Sequence, residues 1–331
     1  MTYARKTLVS LADTPYYHVV ARCVRRAWLW GFDEYAGHDY SHRKAWVLER
    51  LAQLTSIFTI EISAYAVMSN HYHLVVCVDQ KRAKALSQNE VVERWTQLFR
   101  GLPVVERWCN GKATQAERQL AELNIEKWRN RLSDLSWFMK CLNEHLARRA
   151  NAEDNCDGRF WQGRFRSQAL LDEAGLLTAM AYVDLNPVRA GIASTPEESQ
   201  FTSIYERIRK IRELTQVKPS GEALAPEVPL QLFHSPGAGN HTIPFRFEDY
   251  LALVDWSGRV IRDDKRGVID ARLPPIVQRL GIDPGAWELA MQPRGNLFGR
   301  ALGRLDCLRL HAQTLGQSWV RGLKHAERLY V

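Results

Sequence analysis

Apolar residues along this chain fall into short strand-type runs and longer helix-type stripes, separated by polar punctuation. Four runs rich in β-branched and aromatic residues, at 17–22, 60–68, 71–78 and 167–171, predict strands. Stripes at helical spacing predict helices over roughly 41–55, 133–149 and 172–185. In the last of these, Asp172 and Glu173 put negative charge where the helix dipole favours it. Leu176, Leu177, Met180 and Val183, with Ala179 beside them, make its apolar stripe. Pro187 disfavours the helical conformation at Asn186, so this helix should end there. Strands and helices in this order predict an α+β fold, an antiparallel sheet with helices packed on one face.

The rest of the chain is arranged around that unit. Residues 91–132 are polar, contain tryptophans and show helical character near 114–131, which reads as an insertion. A Pro/Gly/Ser-rich stretch, 217–244, reads as a linker. Beyond it, 247–255, 274–280 and 284–291 read as short helices of a basic, mainly helical C-terminal domain with Trp256, Trp287 and Trp319. The expected division is 1–216, the linker, and 245–331. The start of the chain has no apolar run long enough for a signal peptide or a membrane span. No membrane partner is therefore expected, and six cysteines scattered without C-x-x-C spacing fit a reducing, cytoplasmic setting. The sequence contains no P-loop, G-x-G-x-x-G or G-x-S-x-G pattern, so nucleotide hydrolysis and serine-hydrolase chemistry have no foothold.

Two places offer other chemistry. On a strand, residues two apart face the same way, so His71 and His73 project together while Tyr72 and Leu74 point to the opposite face. Paired imidazoles on a rigid strand can hold a metal ion; they can also be a strand that happens to carry two histidines. Near the end of the third helix, Tyr182 and Asn186 are four apart and share a face. That sets a phenol one turn from an amide oxygen able to bind a hard cation, or it is a buried tyrosine followed by a helix-terminating Asn-Pro. Asp184 lies on the far side of that helix and reads as a solvated or locally paired charge. Tyr72 reads as core, Tyr40, Tyr65 and Tyr330 as packing or surface residues, and Cys23 and Cys77 as small strand residues.

Charge sharpens the picture modestly. The 331 residues hold 45 Lys and Arg against 37 Asp and Glu, a formal charge of +8, which favours polyanionic partners without identifying one. Arg148, Arg149, Arg159, Arg164, Arg166 and Arg189 fall between the two candidate sites, interleaved with Trp161 and Phe165. Such a mixture can follow a phosphate backbone while stacking bases, or be a wet face over core aromatics. Arg22, Arg25 and Arg26 follow the first strand, where alternate side chains could line a groove.

Taken together, SNHYHLVV (69–76) and AYVDLNPVRAG (181–191) resemble the single-tyrosine HUH transposases, specifically the REP-associated tyrosine transposases. The resemblance extends to YYHVVARCVRR from Tyr16 and GRFWQGRFRSQALL from Gly158. LVDWSGRVIRDDKRG and LPPIVQRLGI, from Leu253 and Leu273, are similar to the appended region of the family's longer members. Residues 92–130 and 217–244 match least.

The resemblance implies a ferredoxin-like core with both histidines on a central strand. It implies that His71, His73 and Asn186 ligate Mg²⁺ or Mn²⁺, and that Tyr182 attacks a DNA phosphate to give a 5′-phosphotyrosine link and a free 3′-hydroxyl. The implied partner is single-stranded or hairpin DNA of the REP-like palindrome type, contacted by Arg22, Arg25, Arg159, Trp161, Arg164, Phe165, Arg166 and Arg189. It implies a monomer or homodimer in the cytoplasm, on the nucleoid when DNA-bound. Two other readings use the same residues: a hairpin-binding regulator without turnover, and a metallohydrolase working through metal-bound water. The C-terminal region is either a second DNA grip, through Arg259, Arg262, Lys265 and Arg266, or a packing and oligomerisation domain.

Overall fold

The structure, a computed structural model, describes residues 9–24, 31–33, 37–215, 227–236, 242–261, 275–292 and 299–330. Strand β1 (Tyr16–Arg22) leads to a small hairpin, β2 (Phe32–Asp33) and β3 (His38–Asp39), then to α1 (Arg43–Ile57). The hairpin β4 (Ile60–Val67) and β5 (His71–Val78) follows. Helices α2 (Gln80–Ala85), α3 (Gln88–Thr96), α4 (Pro103–Cys109) and α5 (Gln115–Leu132) form the insertion. Next come α6 (Leu135–Glu153), β6 (Arg166–Leu170), α7 (Glu173–Asp184), α8 (Asn186–Arg189) and α9 (Ser203–Thr215). The C-terminal region supplies α10 (Phe247–Ile261), α11 (Pro275–Arg279), α12 (Pro284–Met291), β7 (Ala301–Leu302), α13 (Leu305–Thr314) and α14 (Leu323–Leu329).

Five strands make one sheet in the order β4-β5-β1-β6-β7. The first four are antiparallel neighbours, and β7 runs parallel to β6. Strands β1 and β4 are therefore parallel with β5 between them, joined through α1; β5 and β6 are parallel around β1, joined through α6. Two interleaved βαβ units of this kind are the ferredoxin-like arrangement, so the expected α+β class holds, with the histidine strand inside the sheet.

Helices cover both faces rather than one. On the first, α1 and α6 pack together, and the Tyr72 hydroxyl donates to Asn143 of α6. Arg43, buried at the start of α1, pairs with Glu153 and Asp154 at the end of α6. On the second, α7 lies over β4, β5 and β6. The strands give the reason: Val20, Val75 and Cys77 beside the histidines are as buried as Val19, Leu74 and Val76 opposite. An apolar face of that kind has to be covered.

The C-terminal region docks on this second layer. Gly175 in the first turn of α7 touches β7 so closely that a Cβ there would sit 2.6 Å from the Leu302 carbonyl oxygen. The Asp172 carboxylate caps α7 at Gly175 N (2.7 Å) and also accepts from Arg304 N (2.6 Å). Tyr330 donates to Thr178 midway along the helix (2.9 Å). Part of the stretch read as a linker runs along the sheet edge, where Gln231 N donates to the Ile62 carbonyl at 2.8 Å and Val228 is fully buried. In the insertion, Ser87 with Glu90 and Thr114 with Glu117 form capping boxes on α3 and α5, and Trp95 stacks on Trp128. No helix among the described residues is long and apolar enough to cross a membrane.

Candidate active site

Backbone geometry brings Tyr182 and Asn186 to the histidines. The α7 helix breaks at Leu185, one residue earlier than expected, and Asn186 opens the short α8 with Pro187 in its first turn. Proline is tolerated there because its missing N–H has no intrahelical partner to lose. The phenol and the amide both reach a cleft of about 610 Å³ on the histidine face of the sheet. His71 and His73 line one wall, with ring centroids 4.9 Å apart. The Tyr182 ring stands 6.0 Å from that of His73, and the Asn186 amide nitrogen lies 3.3 Å from His73 Nε2. Two pairs of residues, more than a hundred positions apart in the chain, thus meet at one place.

Protonation suits metal ligation. Burial, with the Arg22 charge adding to it, pushes His71 down to about 4. Burial also holds His73 well below the usual imidazole range, helped by the charges of His18, His71, Arg189 and Arg22. Both rings are therefore neutral at pH 7 and offer lone pairs, as a metal site requires. His71 Nδ1 lies 2.7 Å from Asn70 Oδ1, so its proton is held there and its Nε2 carries the lone pair. Among the described residues no three His, Cys, Asp or Glu side chains are grouped to hold a metal ion. The candidate donor set is accordingly two imidazoles and, once the Asn186 amide is turned so that its oxygen replaces the nitrogen facing His73, one amide oxygen; such a set suits Mg²⁺ or Mn²⁺ better than zinc.

Half of the other cleft residues are arginines. Arg22, Arg164, Arg166 and Arg189 all line it, with Gln162 and Gly163 between them. Arg189 is largely buried, and its Nε and Nη2 donate to the carbonyls of Met291 and Gln292 at 2.7 Å each. That anchor sets its guanidinium over the Tyr182 ring, 4.0 Å from the centroid.

Several expected contact residues lie elsewhere. Trp161 packs edge-on against Tyr72, and its indole N–H donates to the Asn143 carbonyl (2.8 Å), so it belongs to the opposite face. Phe165 is half-buried against the core, and Arg159 is exposed outside the cleft lining. Arg148 and Arg149 sit on α6 and pair with Glu144 and Glu49. Arg25, Arg26, Arg262, Lys265 and Arg266 lie outside the described residues. Arg259 pairs with Asp255.

Of the two readings of Asp184, a solvated or a locally paired charge, the structure excludes the first. Asp184 is fully buried and accepts hydrogen bonds from the hydroxyls of Ser203 and Tyr250 and from Ile204 N. Burial nonetheless pushes it up to about 6. Tyr72, Tyr65 and Tyr330 are buried, bonded to Asn143, Glu206 and Thr178. Two residues that the sequence reading passed over complete the site: His18 and Gln168. His18 Nε2 is 2.9 Å from His73 Nδ1, and its Nδ1 is 3.3 Å from Gln168 Oε1. The available signal was a histidine in the apolar middle of β1 and a glutamine two residues after Arg166 on β6, both in phase with the cleft face.

No family model matches the chain, and no curated protein does. Among solved structures it is similar to that of a REP-associated tyrosine transposase bound to a REP hairpin. The two share 13% sequence identity, with 69% of this chain and 98% of that one covered and a TM-score of 0.37. A likeness that distant leaves the functional reading to the site's own geometry.

Proposed function

We propose that this chain is an HUH-type tyrosine transposase, a metal-dependent endonuclease and strand transferase acting on single-stranded DNA beside a hairpin. The observation that supports it most is the phenol of Tyr182 standing 6.0 Å from the imidazole of His73 inside an arginine-lined cleft. A simple nuclease needs no tyrosine at that position. The motif pair that resembles the REP-associated family supplies exactly those side chains at 71, 73, 182 and 186.

His71, His73 and Asn186 would hold a divalent cation. When bound, it would make the phosphorus more electrophilic and offset charge on the non-bridging oxygens in the transition state. The chain's own groups do the rest. Arg22, Arg164 and Arg166 hold the strand's phosphates across the cleft mouth. Arg189, fixed by two backbone carbonyls, keeps the Tyr182 ring in place and sets a positive charge beside the entering phosphate. The Tyr182 oxygen gives up its proton and forms a bond to phosphorus as the bond to the 3′-oxygen breaks; the departing oxygen takes up one proton in exchange, by way of solvent, so none is gained or lost overall. The product is a 5′-phosphotyrosine and a free 3′-hydroxyl. Because the phosphodiester energy is kept in the new ester, a 3′-hydroxyl can attack it later and rejoin strands without ATP.

Labelled hairpin DNA with a single-stranded flank, incubated with Mn²⁺ and run on a denaturing gel, tests this reading. The wild-type chain should give a protein–DNA adduct; Tyr182→Phe should give none while still binding the DNA. Metal-dependent cleavage without any adduct would instead indicate a metal-activated water, and indifference to metal and to Tyr182 would indicate binding alone.

A further inference from the structure

Behind His73 the sheet carries a short polar relay. Strand β1 lies between β5 and β6, with His18 opposite Gln168 on one side and diagonal to His73 on the other. Gln168 is two strand spacings from His73, about 9–10 Å, too far for direct contact. His18 spans the gap, its ring stacked on that of His73 with centroids 5.2 Å apart. All three side chains are nearly completely buried.

The atoms in contact fix where each proton resides. The Gln168 Oε1 can only accept, so His18 Nδ1 carries the hydrogen that meets it. A neutral imidazole has a single N–H, so His18 Nε2 is an acceptor. Its partner, His73 Nδ1, must then donate. That leaves His73 Nε2 unprotonated and turned toward Asn186. His71 reaches the same state more directly, through Asn70 Oδ1. Reversing the Gln168 amide would reverse every donor in the relay and put a hydrogen on the nitrogen that faces the cleft.

We propose that His18 and Gln168 are positioning residues that lock His73 in its Nδ1–H tautomer, so that its Nε2 lone pair is presented to the divalent cation. The proposal rests on the reading of His73 as a metal ligand, given above. His18 is not itself a third ligand, since the nitrogen nearest the site is engaged by His73. The sheet register supplies the orientation, because β1 places His18 in contact with the metal ligand on one side and the amide on the other.

The test reads tautomers in the full-length, metal-free protein labelled with ¹⁵N-histidine, using long-range ¹H–¹⁵N correlation at pH 7. His18, His71 and His73 should all appear as Nδ1–H. Gln168→Met keeps volume but removes the acceptor; it should release His18 and His73 into mixed tautomers and leave His71 unchanged. In the same variant Mn²⁺ affinity, followed by EPR titration, should fall about ten- to a hundredfold. Gln168→Glu, which keeps an acceptor at the same reach, should retain both the tautomer and the affinity. A wild-type His73 found as Nε2–H overturns the proposal without any variant, as does Gln168→Met with unchanged tautomers and Mn²⁺ affinity. The adduct assay separates this result from the proposed reaction: moved tautomers without an adduct in wild type would sink the reaction alone.

Discussion

In the proposed reaction Tyr182 and His71 have different roles, so their variants should fail differently. Tyr182→Phe removes one oxygen from a half-buried ring, so the adduct should vanish while hairpin affinity stays within about twofold. His71→Ala removes one of three candidate donors; cleavage should slow about a hundredfold or more, since metal stabilisation of a phosphoryl transition state is worth several kcal/mol. Full activity in the alanine variant, measured by single-turnover cleavage, would remove the metal role from His71. At this scale the sequence was informative where chemistry depends on spacing. His71 with His73 and Tyr182 with Asn186 each share a face because a strand repeats every two residues and a helix about every four. Side chains whose role depends on a partner in another strand were not legible. Nothing local marks His18 as touching His73, or Asp184 as facing Ser203 and Tyr250.

The position of Tyr182 depends on the C-terminal region through several contacts along α7 and through Arg189 of α8. Gly175→Ala would drive a methyl into the Leu302 carbonyl, at a cost of about 1–3 kcal/mol. It should lower Tm by several degrees and slow adduct formation. An unchanged Tm would mean that β7 is not packed against α7 as described. Tyr250→Phe withdraws one donor from the buried Asp184, a loss of about 1–3 kcal/mol, and calorimetry should find it destabilising. Strands β1, β4, β5 and β6 and helices α1, α6 and α7 were legible to within a few residues, because apolar residues recur in each at strand or helix spacing. The cover over the second face was harder to anticipate. Residues 227–236 look like linker by composition, yet Val228 is buried and Gln231 bonds to Ile62 and Ser63 of β4. Such edge contacts are set by tertiary fit rather than by local pattern.

Across the whole molecule, charge makes two further predictions. Four arginines line the cleft; with about 0.7 counterions released per single-strand phosphate, log Kd should vary with log salt with a slope near 3. Arg164→Ala should lower that slope by about 0.7, and an unaltered slope would place the strand elsewhere. Protonation gives the second. In the metal-free protein His18 and His71 are pushed down to about 4, and His73 also lies well below its ordinary 6.5. Depressed imidazoles contribute stability that is present above about 6.5 and lost as pH falls toward their folded values. Asp184, pushed up to about 6, acts oppositely: its contribution is full near pH 4 and lost as pH rises through 6. Burial likewise pushes Glu206 up and His145 and His325 down. Five imidazoles outweigh two carboxyls, so Tm should climb between pH 5 and 7; a fall over that interval would contradict the buried, neutral site. The most direct measurement of all is to digest the covalent complex and sequence the DNA-linked peptide by mass spectrometry. The account predicts one modified residue, Tyr182, esterified to the 5′-phosphate of the cleaved strand. Attachment at any other side chain, or cleavage products carrying no protein, would contradict it.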